Sequence, residues 1–500
     1  MAAKRRILLV SSEVAPFART GGLGDVLGAL PQALARLGHE VKVCLPRYGT
    51  MDPGTRQLRP LDWTTTISFE GRQVRAGAES YRDARTGPEY FFIRDDHYFN
   101  RSELYRNPRT GKDYADNDER FAYFNRATLE LVRHLEFRPD IIHVHDWQAA
   151  LIPAYLKTVY ARDPILGGVR TVLTVHNLGY QGTFASERFP LLGLPEEYNY
   201  AVTGPFEFFG KLNFLKAGIV LADAVTTVSP RYAAEIRSSA EFGRGLEGVL
   251  KERSEVLHGI LNGVDLTIWS PSRDKKIPHR YGISNLSGKR MTRVELLGRA
   301  QLPVRDRTPL IGMISRLADQ KGWDLIADTA ERLFAMDLQM IVLGTGDEKY
   351  HRLLAKLEQK YPDKLKAYLR FDDTLAHWIE AGADMFLMPS RYEPCGLNQM
   401  YSLRYGTVPV VRAVGGLADT VADYDPKTGE GTGFVFRDYS AEAFLEAVRR
   451  ALTLFTGRRV WMKLMKAGMR QDFSWQRSAV KYAELFEEVI SRGPANRAVP

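Results

Sequence analysis

The sequence lacks most of the features that mark a special environment. Cysteine occurs only at Cys44 and Cys395, so no disulfide framework can form and a reducing cytoplasm is the expected compartment. No window approaches the roughly eighteen consecutive apolar residues of a membrane span, so no membrane partner is expected. The opening MAAKRRILLVSSEV joins basic residues to a short apolar run ending in Ser-Ser-Glu, which does not read as a secretory signal. Low-complexity tracts and short solenoid periods are missing. No H-E-x-x-H or Cys/His spacing is present to suggest a metal. Basic runs stop at Lys4–Arg6, and no zinc-finger or RNP pattern occurs, which argues against nucleic acid. The charge excess is modest, 69 basic against 60 acidic residues for a net +9. It reads either as an ordinary basic surface or as a field that attracts an anionic ligand such as a nucleotide diphosphate.

What is present is a globular composition, 44% hydrophobic and 26% charged, on a 500-residue chain too long for one ordinary core. Two α/β halves are expected. In the first, Arg6–Ser12 reads as a buried strand, Leu23–Leu37 as a helix and Glu40–Pro46 as a second strand, together a βαβ unit. Alternation from Thr64 to Asp95 suggests an antiparallel insertion. Glu119–Leu135 and Lys211–Leu221 read as helices, and Ile141–His145 and Val169–Val175 as strands. AVTTVSPRYAAEI reads as a strand, then Ser229 as N-cap and Pro230 at the first helical position. The pattern restarts with strand-like Leu310–Ser315, Met340–Leu343, Met385–Met388 and Val408–Val411. The expected boundaries are an N-terminal domain over 1–265, a linker plus helix over 266–307, a C-terminal domain over 308–472, and a terminal helix over 473–500 packing back on the N-terminal domain. Both domains read as doubly wound Rossmann-like sheets facing a cleft, with ligands at the carboxyl ends of the strands. GGLGDV at Gly21–Val26 is echoed by GGLADT at Gly415–Thr420, a hint of related halves.

Polar clusters stand where the apolar runs stop. The loop SSEVAPFARTGGLGDV lacks GxGxxG, which weakens a dinucleotide reading. Gly21, Gly22 and Gly24 permit close backbone approach at a helix start, and Arg19 adds a forked cation, so the loop suits a diphosphate or is simply a tight turn. HVHDW (His143–Trp147) and TVHNLGYQG (Thr174–Gly182) place histidines, Asp146 and Asn177 at two strand ends, as structural residues or as ligand contacts. Asn262, in LNGVD, falls near the expected hinge. Arg316 and Lys321 follow the first strand of the second half, a solvated basic loop or a clamp for a departing diphosphate. Glu393-Pro394 precedes a small-residue helix start at Cys395-Gly396-Leu397. Glu393 could bond sugar hydroxyls there or merely carry charge at a helix start.

Taken in order, RTGGLGDVLGALP, HVHDW, TVHNLGYQG, LNGVD with IWSP, SRLADQKG, PSRYEPCGLNQMYSLRYGTVPVVRAVGGLADTV and DFSW resemble the bacterial glycogen and starch synthase family over about residues 6–490. The resemblance implies a GT-B fold and a retaining transfer of glucose from ADP-glucose to the non-reducing end of an α-1,4-glucan such as glycogen, with no metal ion and no cofactor. It implies Glu393 and His176 as catalytic. It implies a nucleotide-sugar site of Arg19, Gly21, Gly22, Asp25, Asn177, Asn262, Arg316, Lys321, Phe371, Cys395, Gly396 and Leu397, with Asp146 on the acceptor side. Three positions depart from the family. Arg19 replaces a usual lysine, Phe371 stands where many relatives place an adenine-stacking tyrosine, and Gln148 replaces a frequent histidine. Rival expectations are another retaining nucleotide-sugar glucosyltransferase of this fold, or a non-catalytic glucan-binding relative. No pyridoxal-binding lysine region of a phosphorylase is found.

Overall fold

The computed structural model describes residues 3–51, 58–69, 71–82, 87–199 and 204–492. The end of the expected 473–500 segment, from 493, and short stretches of the antiparallel insertion lie outside the described residues. The chain forms two compact units. The first comprises Met1–Val228, Ala233–Gly263 and Trp475–Pro500, and the second Ser229–Tyr232 and Val264–Ser474.

Among the described residues, the first unit is built on strands β1 (Arg6–Val10), β2 (Glu40–Pro46), β3 (Arg59–Phe69), β4 (Arg72–Arg82), β5 (Glu89–Arg94), β6 (Ile141–His145) and β7 (Arg170–Val175). It adds the short β8 (Thr183–Ala185), β9 (Glu207–Phe208) and β10 (Lys211–Asn213), then β11 (Ala224–Thr227) and β12 (Leu257–Gly259). Nine of these form one sheet in the order β12-β11-β7-β6-β1-β2-β5-β4-β3. All its pairs are parallel except β3/β4 and β4/β5, so the expected insertion is an antiparallel extension of the parallel core. Continuous runs such as ILLV and IIHVH are buried on both faces, as central parallel strands require. The sheet reverses its winding between β1 and β6, so the loops after these two strands flank its switch point.

The helix expected from Lys211 begins instead at Phe214. Asn213 caps it by accepting from the Lys216 amide at 2.8 Å, and Lys211–Asn213 pairs with β8 and β9 in a small antiparallel sheet. The helix Trp475–Ser491 belongs to this first unit. Arg5 and Glu487 form a two-pronged ion pair at 2.7 and 2.5 Å, and Ser478 donates to the Leu261 carbonyl at 2.6 Å. Gly263 is required at the junction, because a Cβ there would lie 2.6 Å from Trp475 Cα.

The second unit carries β13 (Leu310–Ile314), β14 (Gln339–Leu343), β15 (Leu365–Tyr368), β16 (Met385–Met388), β17 (Val408–Arg412) and β18 (Phe434–Phe436). They form one parallel sheet in the order β15-β14-β13-β16-β17-β18, which is the Rossmann order, with its switch point between β13 and β16. Residues 266–307, expected as a linker plus helix, are built into this unit. The Asp274 carboxylate accepts from His377 Nδ1 and the Tyr405 hydroxyl, both at 2.6 Å, and Trp269 stacks between His377 and Tyr401 at 3.8 and 3.9 Å. The Gly21 and Gly415 echo does not mark a repeated half: GGLGDV follows the first strand of its sheet, whereas GGLADT follows the fifth.

Candidate functional site

In the second unit the two loops at the switch point interlock. Gly322 has φ +80°, and a Cβ on it would lie 2.2 Å from the Pro389 carbonyl oxygen, so only glycine lets the loop after β13 lie against the loop after β16. Lys321 Nζ reaches Glu393 Oε2 at 2.6 Å, and Ser390 Oγ donates to the same oxygen at 3.0 Å. Side-chain exposure is 19% for Lys321 and 7% for Glu393, enough to strengthen the pair without isolating the cation from solvent. Arg316 lies exposed on the same loop and donates to Gln320 Oε1 at 3.2 Å.

The EPCGL and GGL motifs also pack on one another. A Cβ on Gly415 would fall 1.9 Å from the Glu393 carbonyl oxygen, and one on Gly416 would fall 2.1 Å from that of Cys395. Gly416 N–H donates to the Glu393 and Pro394 carbonyls, both at 3.2 Å. Gln399 Nε2 closes the turn by donating to the carbonyls of Cys395 and Gly396 and to Thr420 Oγ1. The helix expected to begin at Cys395-Gly396-Leu397 starts one residue later, at Asn398 with Leu397 as N-cap, because Gly396 holds a left-handed φ of +69°. Phe371 follows β15 and is 78% exposed, leaving a flat apolar ring open to a planar partner.

In the first unit the glycine loop is held by a residue the sequence did not single out. Glu13, buried, accepts from the Thr20 amide and hydroxyl (both 2.6 Å), the Gly21 amide (3.3 Å) and the Tyr105 hydroxyl (2.9 Å). That carboxylate fixes the approach to the helix Gly22–Arg36, whose N-cap is Gly21. Arg19 Nε pairs with Asp25 at 2.9 Å, so these two candidate residues meet each other.

The loops after β6 and β7 bring the histidine motifs together. His145 Nδ1 lies 3.0 Å from His176 Nε2, and the Asp146 carboxylate accepts from the His176 main-chain N–H at 2.7 Å. Asp146 adopts φ +56°, ψ −176°, a region essentially reserved for glycine and costing about 1–3 kcal/mol. Burial pushes the Asp146 carboxyl up to about 7, against the opposing pull of the His176 and Asn177 amides. Burial pushes His176 down to about 3, so its ring is neutral at physiological pH. Gly182, at φ +62°, lets the YQG turn press on Trp147, since a Cβ there would lie 2.4 Å from the indole. Asn177 Oδ1 accepts from the Gly179 amide at 2.9 Å. Asn262 is buried, and its Oδ1 meets no hydrogen-bond donor among the described residues.

The structure thus joins Lys321 to Glu393, the EPCG turn to Gly415 and Gly416, His176 to Asp146, and Arg19 to Asp25. Glu13 and Ser390 are polar residues that the sequence did not single out; His145 stood within the HVHDW motif, but its pairing with His176 was not expected. A buried glutamate just after an apolar strand was the available pointer to Glu13. Among the described residues, no group of three or more His, Cys, Asp or Glu side chains is arranged to hold a metal, and no helix is long and apolar enough to cross a membrane.

Known proteins share this architecture. The family model for the starch synthase catalytic domain matches residues 6–252, and that for group 1 glycosyl transferases matches residues 297–462. A glycogen synthase of Anaeromyxobacter sp. is 50% identical over 97% of this chain and 99% of its own. A glycogen synthase of Thermotoga maritima is 44% identical, also over 97% of this chain and 99% of its own. The catalytic domain of starch synthase IV from Arabidopsis thaliana, solved with ADP and acarbose, is 34% identical. It superposes with a TM-score of 0.89 over 98% of this chain and 100% of its own. Fold, motif order and near full-length similarity converge: the chain belongs to the glycogen and starch synthase family and is a GT-B glycosyltransferase.

Proposed function

We propose that the chain transfers glucose from ADP-glucose to the non-reducing end of an α-1,4-glucan with retention of configuration. The observation that carries this reading is the Lys321–Glu393–Ser390 cluster at the switch point of the second unit's sheet. A sugar nucleotide needs one group that bonds hydroxyls of the transferred ring and another that receives charge on the leaving phosphate. Glu393 supplies the first. Lys321, which has three N–H donors, supplies the second while keeping its bond to Glu393. Arg316 adds a forked cation, and the turn at Cys395, Gly396 and Leu397 directs amides at the start of a helix toward the same anion. Phe371 offers a stacking face for the base. These residues form the leaving-group half of the chemistry, in which the preorganised cations supply charge stabilisation.

The first unit supplies the sugar and acceptor contacts and the glycine loop. His176 contacts the glucose, Asn177 and Asn262 bond its hydroxyls, and Asp146 lies on the acceptor side. The glycines at Gly21 and Gly22, with Arg19 and Asp25 beside them, approach the diphosphate. The starch synthase IV domain solved with ADP and acarbose supports both the nucleotide and the glucan parts of this reading. Both cysteines are buried as free thiols, and burial pushes Cys44 up to about 12, which fits residence in a reducing cytoplasm.

Purified protein incubated with glycogen and labelled ADP-glucose, beside a UDP-glucose reaction, tests the donor. Faster incorporation from ADP-glucose, undiminished by excess EDTA, is expected. Equal or faster turnover with UDP-glucose contradicts the base assignment, and an EDTA loss restored by magnesium contradicts the role given to the cations.

A further inference from the structure

His145 and His176 approach through one nitrogen each, Nδ1 of the first and Nε2 of the second, 3.0 Å apart. Burial lowers the basicity of both rings, and of His143 beside them, so the three are neutral together at physiological pH. Two neutral imidazoles in this contact share a single hydrogen, and two arrangements are possible. If His176 Nε2 carried it, His145 would carry its own hydrogen on Nε2. That nitrogen is buried and meets no acceptor among the described residues. If His145 Nδ1 carries it, the same Nε2 is a bare acceptor. A weak acceptor left bare costs less than a buried N–H with nothing to receive it, so the second arrangement wins. His176 then accepts on Nε2 and holds its own hydrogen on Nδ1. That nitrogen is not among the buried side-chain atoms left without a partner, and the residue keeps 9% of its surface exposed.

The surroundings hold this arrangement still. The His143 ring lies 4.1 Å from that of His145 and is anchored at 2.6 Å to Thr174 Oγ1, with Tyr482 and Phe486 against its other contacts at 5.3 and 5.6 Å. On the far side, Asp146 fixes the main chain of His176. We propose that His145 is a positioning residue that locks His176 in its Nδ1–H tautomer, so that His176 meets the sugar as a hydrogen-bond donor to a hydroxyl oxygen. The ligand half of this proposal rests on the reading of His176 as a glucose contact; the tautomer half does not.

The test is selective 15N-histidine labelling of the full chain, with His176 assigned by its loss in His176→Gln. His176 Nδ1 is expected to be protonated and pyrrole-type, with Nε2 bare and pyridine-type. The opposite pattern overturns the proposal without any further variant. His145→Asn keeps an N–H near the place of Nδ1, whereas His145→Phe keeps only the ring shape. The Phe variant is expected to lower kcat about 10- to 100-fold with the KM for the nucleotide sugar nearly unchanged, the scale of one lost hydrogen bond. It is also expected to give mixed His176 tautomers. The Asn variant is expected to stay within about fivefold of wild type. Equal losses in Asn and Phe, with His176 still pyrrole-type at Nδ1 in both, overturn the positioning role. Wild-type activity in His176→Ala overturns the ligand half while leaving the tautomer result in force.

Discussion

The two units solve different electrostatic problems with the same sheet. Each is wound in the Rossmann sense, and each gathers its polar residues on loops after the strands at its switch point. In the first unit the cluster around the ends of β6 and β7 is buried and held toward its uncharged forms: His143, His145 and His176 are pushed down, and Asp146 is pushed up, by loss of water, while the Arg19–Asp25 ion pair stands apart beside the glycine loop after β1. In the second, Lys321 and Glu393 remain a charge pair, with Arg316 exposed nearby. Neutral groups of fixed geometry discriminate hydroxyls, because an unmatched buried polar atom is costly. Fixed charges serve a centre where charge grows during reaction. On the proposed reading, one architecture serves recognition in the first unit and leaving-group chemistry in the second.

The comparison is broken most sharply at Lys321. Lys321→Ala removes a preorganised cation and is expected to lower kcat about 10²- to 10³-fold, a loss of about 2.7–4 kcal/mol. A loss below tenfold in steady-state assays would mean that the charge pair is structural. Glu13→Ala strips the acceptor from the Thr20 and Gly21 amides. It should cost about 2–3 kcal/mol of stability, read as a lowered midpoint in denaturant, because those hydrogen bonds end on a charged acceptor. An unchanged midpoint would show that the glycine loop holds itself.

Acid should expose the difference between the units. His143 and His176 have folded values near 3, against about 6.5 for the unfolded side chain. The unfolded chain therefore binds more protons across that window, and their contribution is complete above about pH 6.5 and lost as pH falls toward about 3. Asp146 works the other way. Its folded value is raised, so its contribution is present at about pH 4 and lost as pH rises through about 7. Three histidines against one carboxyl should leave a net fall in melting temperature below about pH 6. His143→Gln should flatten that limb, and an unchanged limb would contradict the neutral buried trio. The smallest effect is expected at Arg19, already paired with Asp25 and partly exposed. Arg19→Lys keeps the charge and should leave turnover within about threefold of wild type; a loss matching Lys321→Ala would reverse the weights given to the two loops.

Much of the fold was legible because its central strands are continuous apolar runs. Arg6–Val10, Ile141–His145, Met385–Met388 and Val408–Arg412 stand out against polar loops and pair in register at the sheet centres. Edge strands were not: Leu365–Tyr368 and Phe434–Phe436 are too short for a period to show, and Leu257–Gly259 has only one buried residue. Lys211–Asn213 resembles helix in sequence because it runs into an apolar helix, although Asn213 is the cap that starts it. At the site, His176 was visible as a polar residue ending a buried strand, and Lys321 and Glu393 as polar residues in the loops that follow buried strands. Glu13 was not, nor was the pairing of His145 with His176, because both depend on partners distant in sequence, Tyr105 and His176, that only the folded sheet brings near.

The most direct test of the division between neutral recognition and charged chemistry is Glu393→Ala, measured for transfer, ADP binding and thermal melting together. The carboxylate touches Lys321 and Ser390, while the turn that follows it is held by main-chain contacts to Gly416 and by Gln399, which the substitution leaves in place. Near-normal melting and ADP binding are expected, with transfer reduced about 10³-fold or more, and Glu393→Gln recovering only part. Transfer within about tenfold of wild type, a gap near 1.4 kcal/mol, would contradict the placement of the reaction at this charge pair.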